Sequence, residues 1–438
     1  MVNFKLTQAI RFLAVCCATF MALPLCSFAQ GAERSITLQE VFKLVQTQNP
    51  SVLAGEHGVE ATRQSMRQTR SALLPQLSAQ ASQLRSRSMI DKGSEGLRGN
   101  LDNSFSSAIV LSMSIVDATN IASYKAAKLE TSAARYQQES DVQNVFTQAA
   151  SLYFLYQRHL SSLRVIESSI ALDEVLLNIA VQRREADVAT ELDLTRAKAT
   201  LAKDRQSLLG QKTIVNQTRL QLLQIVGLDP DVNIMPLDEQ LLAPELADLP
   251  AWAEVLETRP EYKAANELLQ RNRVAEKAAD WRRFPSVAVQ GQYGHASELP
   301  GDGEGGNMWS LGLTMNVPLW EGGRIGAQKL QARALIRQQE QRIREISDTI
   351  HSSYVQAVAA IQQRWEEIPL AREAVKLGEM ELKYARERFE ASVTDNSDVV
   401  YAQQSLTSAQ DSLVDAIYRY HLARIDLARV LGQVDTRL

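Results

Sequence analysis

The sequence predicts a mainly α-helical chain that carries four amphipathic β-strands, and three observations lead there. The chain is internally duplicated, it holds very long segments of helical period, and it holds two pairs of short runs that alternate with a period of two. The duplication is read from matched punctuation. Asn49-Pro50 opens a helical stretch that runs to Leu73-Leu74-Pro75-Gln76-Leu77, and at one common offset Arg259-Pro260 opens one that runs to Arg283-Phe284-Pro285-Ser286-Val287. Further on, Val188 to Leu194 parallels Val393 to Val399, and each copy ends in a glycine, Gly227 and Gly432.

Taken in order, positions 1–29 have the form of an export leader. Lys5 and Arg11 precede an apolar stretch from Phe12 to Leu25, and Ser27-Phe28-Ala29 offers a small-x-small cleavage site. Cys16, Cys17 and Cys26 all lie inside it, so the exported chain is expected to lack thiols, disulfides and cysteine-held metals. Cys26 follows Leu25, where lipid attachment needs a small residue. The first copy then spans 30–227, a connector 228–250, the second copy 251–432 and a tail 433–438. Pro230, Pro236, Pro244 and Pro250 mark the connector as irregular.

Thr37-Leu38-Gln39-Glu40 reads as a capping box that opens a helix near Leu38, expected to stop before Pro75. Alternation follows. Leu77, Ala79 and Ala81 oppose Gln76, Ser78 and Gln80; Phe105, Ile109, Leu111, Met113 and Ile115 oppose Ser106, Ala108, Ser112 and Ser114. The second copy repeats this with Val287, Val289 and Tyr293, then Trp309, Leu311, Leu313, Met315, Val317 and Leu319. These are expected hairpins near 76–116 and 286–320, with loops from Asp91 to Asn103 and from Leu299 to Asn307. Runs of about ten residues suit tilted strands crossing a bilayer.

After each hairpin the helical period returns. Thr119 to Ala186 contains neither proline nor glycine, roughly 100 Å of helix at 1.5 Å per residue. Leu194, Leu201, Leu208, Val215 and Leu222 form a heptad; Val399, Leu406, Leu413, Tyr420 and Leu427 repeat it beside a column of Ala402, Ala409, Ala416 and Ala423. The breaks near 187–191 and 392–396 make antiparallel helical hairpins, and Pro369 predicts a kink.

Strands with one apolar and one small-polar face fit a barrel in lipid with a wet interior. Four strands cannot close alone, because unpaired edges in lipid cost several kcal/mol per group. Two copies give a bore that side chains fill, and three leave a lumen. The competing reading is a soluble periplasmic coiled-coil scaffold or adaptor. Balanced charge, 47 Lys+Arg against 51 Asp+Glu, removes any ground for a nucleic-acid partner. Chemistry is equally unsupported. His57, His159, His295, His351 and His421 are scattered, the Gly301 to Asn307 loop lacks a phosphate-binding lysine, and Glu366 and Glu367 point apart on a helix. No enzyme, cofactor or metal is expected.

From about Ile36 to Gln433 the chain resembles the TolC-like outer-membrane efflux channels. The resemblance rests on the duplicated plan, on Leu73-Leu74-Pro75-Gln76-Leu77, on Val317-Pro318-Leu319-Trp320-Glu321-Gly322-Gly323, and on Arg388-Phe389 through Asp398-Val399-Val400-Tyr401-Ala402-Gln403. It implies a transmembrane twelve-stranded barrel in the outer membrane of a Gram-negative bacterium, made by a homotrimer, above an α-helical periplasmic tunnel. It also implies a periplasmic adaptor (membrane fusion) protein and an inner-membrane pump, proton-driven or of the ATP-binding cassette class, serving efflux or type I secretion. Cargo stays open between small molecules and proteins. Pro75, Pro285, Pro318, Gly322 and Gly323 fall at helix–strand junctions in this likeness. Asp398 falls at the family's acidic tip constriction, grouped with Tyr401, Asp193 and Asp395; Asp398 as a helix cap is the equal alternative. Phe389 stands where some members have a latching tyrosine, and Asp187 and Ser392 replace turn glycines.

Overall fold

The computed structural model describes residues 34–91, 97–186, 190–237, 249–301, 305–391 and 396–437. The expected leader, Asp187, Ser392, Asp395 and the 238–248 stretch of the connector lie outside them.

Strand β1 (Arg34–Ile36) leads into helix α1 (Leu38–Gln48). The capping box forms as the sequence requires: the Glu40 amide donates to Thr37 Oγ1 at 3.2 Å, and the Thr37 amide donates to the Glu40 carboxylate at 3.1 Å. The helical stretch expected to stop before Pro75 is two helices, the second opening at Asn49-Pro50 as the sequence predicts. Pro50 forces Asn49 into extended geometry (φ −66°, ψ 121°), and α2 (Pro50–Ser71) starts afresh. Asn49 makes the break tolerable. Its side chain accepts from the Ser51 and Val52 amides at 2.8 and 3.1 Å and donates to the Ile225 carbonyl at 2.6 Å. In the second copy Arg259 breaks α5 (Trp252–Thr258) from α6 (Pro260–Trp281) with the same backbone, but its guanidinium pairs with Glu261 and the Arg429 carbonyl.

Strands β2 (Gln76–Asp91), β3 (Leu97–Val116), β5 (Ser286–Ser297) and β6 (Gly306–Asn316) form one antiparallel sheet in the order β2-β3-β5-β6. The register aligns the odd-numbered apolar residues into one face: Leu77 opposite Leu111, Ile109 opposite Tyr293, Tyr293 opposite Trp309, Val289 opposite Leu313. The first hairpin is longer than expected. β2 has 16 residues and β3 has 20, pairing from Leu97 onward where a loop to Asn103 was anticipated. A backbone ladder is indifferent to side-chain polarity, so pairing runs on past the apolar stretch. In the second hairpin β6 ends at Asn316, short of the expected 320.

Helices α3 (Ala118–Glu185) and α4 (Glu191–Val226) pair in the first copy, α7 (Arg324–Glu390) and α8 (Asn396–Leu431) in the second. Buried Leu201 and Leu222 in α4, and Val399, Ala402, Ala416, Tyr420, Ala423 and Leu427 in α8, supply the seams. Gly378 of α7 lets the hairpin close tightly, since a Cβ there would sit 3.2 Å from Leu406 Cα. Pro369 lies within α7, which continues through it.

The largest core gathers where both copies meet. Phe42, Val45, Phe146, Tyr153, Phe154, Leu222 and Ile425 are buried there together. The connector is less irregular than its prolines imply: β4 (Ile234–Pro236) pairs in parallel with β1. Tyr153 Oη donates to the Ile36 and Leu237 carbonyls at 3.1 and 2.8 Å, and Tyr156 Oη to the Ile234 carbonyl at 3.0 Å. These bonds bind a segment too short to hold by pairing alone. The expected tail is also structured. Val434 opens a one-turn helix, α9 (Val434–Arg437), and is buried, with its amide donating to Gln143 Oε1 at 3.1 Å.

Candidate functional site

Two regions stand apart from ordinary packing, the apolar face of the sheet and the far tip of the helices. On the sheet, Leu77, Trp309, Leu311, Leu313 and Met315 are all more than 60% exposed in the single chain. Just past β6, Leu319 and Trp320 reach 93% and 86%. Water is an unfit medium for a contiguous apolar band of this kind, which marks a partner or lipid surface. The opposite face carries Ser78, Gln80, Ser106, Ser112, Gln290, Gln292, Ser310 and Thr314 by register, with Ser82 Oγ and Ser106 Oγ hydrogen-bonded at 2.9 Å. Both β2 and β6 are edges of the sheet within one chain.

The junctions that aim the sheet share one geometry. Pro75 sits between α2 and β2, and Pro285 between α6 and β5. In both, the two residues just before the proline-preceding turn ends bond back to the helix: Leu73 to Arg70 and Leu74 to Ser71, Arg283 to Asp280 and Phe284 to Trp281. The return from β6 to α7 passes Pro318, then Gly322 and Gly323 at φ 58° and 82°. Side chains other than glycine rarely adopt this backbone, so the chain reverses there at little steric cost.

At the tip, α3 and α4 are joined across Arg184 and Glu191, 3.2 Å apart. Asp193 is committed locally. Its carboxylate accepts from the Thr190 amide at 3.0 Å and the Thr190 hydroxyl at 2.6 Å, completing a capping box at the head of α4. Asp398 is the third residue of α8, which starts at Asn396, so it is not the helix cap. It is exposed in the first turn, where the helix dipole favours a carboxylate. Tyr401, three residues on and on the same side, is 69% exposed.

Beneath them Leu176, Leu382, Phe389, Val399 and Ala402 bury one another, joining α3, α7 and α8. Phe389 has no hydroxyl, yet it holds the copies together. The Arg183 guanidinium lies 4.3 Å over its ring and donates to its carbonyl at 3.1 Å. Sequence reasoning missed Arg183, because a basic pair in a last helical turn also serves the helix dipole. Among the described residues no helix is long and apolar enough to cross a membrane, and no cluster of three or more His, Cys, Asp or Glu could hold a metal.

A family model described as outer membrane efflux protein matches residues 41–228 and 252–433. The probable efflux pump outer membrane protein SepC of Pseudomonas putida is 26% identical over 410 residues, covering 91% of this chain and 84% of that one. Outer membrane protein OprJ of Pseudomonas aeruginosa is 25% identical over 391 residues, covering 85% and 79%. The crystal structure of outer membrane protein VceC from Vibrio cholerae superposes with a TM-score of 0.78 at 19% identity, covering 90% of this chain and 96% of that one, which shows the shared fold.

Proposed function

The chain belongs to the outer membrane efflux protein family, and on that premise we propose that three copies close their four-stranded sheets into one twelve-stranded barrel. The protein is an outer-membrane efflux channel whose helices reach into the periplasm. The observation that carries the trimer is the sheet itself. It has a band of apolar residues on one face, a small-polar opposite face and two edges that no other strand among the described residues covers. Joining β2 of one protomer to β6 of the next satisfies those edges, sets the apolar face in lipid and wets the other. Twelve strands leave an open bore. The soluble-scaffold reading would leave that apolar face in water, so it is not favoured.

The duplicated halves, 30–227 and 251–432, each contribute one strand hairpin and one long helical hairpin to this conduit. At its periplasmic end it meets an adaptor protein and, through it, an inner-membrane pump that supplies the energy, proton-driven or ATP-binding cassette. The role named for the relatives, outer-membrane parts of efflux pumps, supports those partners. Mature protein extracted in detergent is expected to run as a trimer by light scattering and to conduct in planar bilayers. A monomer that stays dispersed in plain buffer overturns the reading.

The tip supplies the constriction. Asp398, exposed at the head of α8, and Tyr401 beside it line the aperture with Asp395 three residues before Asp398 in sequence, while Asp193 completes the capping box whose cap is Thr190. Three symmetry-related Asp398 carboxylates attract multivalent cations. Single-channel current in wild type is therefore expected to be blocked by such cations from the periplasmic side. Asp398→Asn should weaken the block at least about tenfold, the effect of removing roughly 1.4 kcal/mol of attraction. Undiminished block in that variant removes Asp398 from the constriction.

A further inference from the structure

The seam between the two copies, α3 against α8, carries a polar stretch between the apolar clusters that hold Ile425 and Val399. Arg158 pairs with Asp415 at 3.0 Å and Ser162 Oγ donates to Asp411 at 2.6 Å. Nearer the tip the seam ends in a buried cluster. Asp173 of α3 and Gln403 of α8 are 3% and 4% exposed. Gln403 Nε2 donates to Asp173 Oδ1 at 2.6 Å and to Ser169 Oγ at 3.2 Å, and Ser169 Oγ donates to Asp204 of α4 at 2.8 Å. Three helices from both copies thus meet on two carboxyl groups.

Two buried acceptors of this cluster, Asp173 Oδ2 and Gln403 Oε1, have no hydrogen-bond partner among the described residues, and the carboxylate oxygen is the costlier one. The Asp204 carboxylate lies within hydrogen-bonding reach of Asp173. Two carboxylates cannot bond each other, and a buried acceptor without a donor is costly. A proton on Oδ2 resolves both problems, turning that atom into a donor to Asp204. No cation offers the same relief. Glu174 is tied to Arg205 of α4 at 2.9 Å. Lys203 is exposed on the groove wall. α8 presents the neutral Gln403, with Asp411 two turns on and already bonded to Ser162. α7 meets this level through Leu382, and its neighbour Lys383 pairs with Glu387 at 3.9 Å.

We propose that Asp173 and Asp204 share one proton, and that this proton fixes α8 onto the α3–α4 pair through Gln403, making the docking of α8 dependent on pH. The electrostatics agree. Burial above all pushes the Asp173 carboxyl up to about 6; the Gln403 amide pulls the other way, and the Asp204 charge adds to the rise. The sign follows: the folded chain binds this proton more tightly than an unfolded aspartate does. Its docking is therefore strongest at low pH and weakens as pH climbs to about 6 and is fully weakened above it. Below about 6 the cluster is neutral on Asp173; above it, the buried Asp173 carboxylate faces the half-buried one of Asp204.

Hydrogen exchange on the full mature chain in detergent, corrected for intrinsic exchange rates, reads this directly. Between pH 5 and pH 8 the wild type is expected to lose protection in segments 166–176 and 399–411. The loss is at most about tenfold, because from pH 5 to the Asp173 value of about 6 only about one unit of the linkage window is crossed. Asp173→Asn keeps the bond from Gln403 and permanently supplies a donor toward Asp204, so protection there should be the same at both pH values. Asp204→Asn removes the facing charge and should shrink the step in part, since burial, the larger cause, remains; that partial loss decides the matter if the first variant does not fold. A wild type without the step, or an undiminished step in both variants, overturns the proposal.

Discussion

Leu313→Arg in β6 is expected to abolish detergent-stable trimers and to deplete the protein from the outer-membrane fraction. Leu313 is 67% exposed in one chain and sits at mid-strand on the apolar face, opposite Val289. A charge on the lipid face near the bilayer midplane costs about 2–4 kcal/mol, and a trimer bears it three times. The informative comparison is the adjacent residue. Thr314 opposes Ala288 on the other face, so Thr314→Arg should leave trimers intact and instead shift ion selectivity toward anions in bilayer recordings. Equal damage from both substitutions would mean that the two faces are not lipid and lumen.

Tyr153→Ala is expected to lower the apparent unfolding temperature more than any other single truncation in the central core. The ring is fully buried, packs edge-on against Phe154 at 5.5 Å, and its hydroxyl reaches the Ile36 and Leu237 carbonyls. Removing a buried aromatic costs about 3–5 kcal/mol, and stranded carbonyls add to it. Tyr153→Phe keeps the packing and loses only the hydroxyl, for about 1–3 kcal/mol. Circular dichroism melts in detergent give both values. Limited proteolysis should show β1 released in both variants, since the hydroxyl is what ties Ile36 and Leu237 to α3. A melt unchanged by Tyr153→Ala would place the stability of the chain elsewhere.

Much of the fold was legible because its signals are local. A capping box needs only Thr37 and Glu40, three residues apart, and alternation from Trp309 to Met315 states which face is apolar without knowing what covers it. The misreadings share a physical cause as well. The first hairpin was cut short because apolar alternation ends before the ladder does. β4 escaped notice because three residues carry no period, and what holds them is Tyr156, far away in the chain.

The tip divides the same way. Asp398 and Tyr401 are singled out by the family likeness of the residues beside them in sequence, whereas Arg183 gains its meaning only from Phe389, 206 positions later. Asp173 and Gln403 are 230 positions apart, and neither stands out as a residue in a long polar helix. Residue patterning by itself determined the helices, the two-faced strands and the duplicated plan, since each depends on which side chains recur at a fixed spacing. Tertiary structure alone decided which polar groups are buried together and which edges go unpaired. Those properties arise from long-range approach, where desolvation and hydrogen bonding depend on partners that no local period encodes.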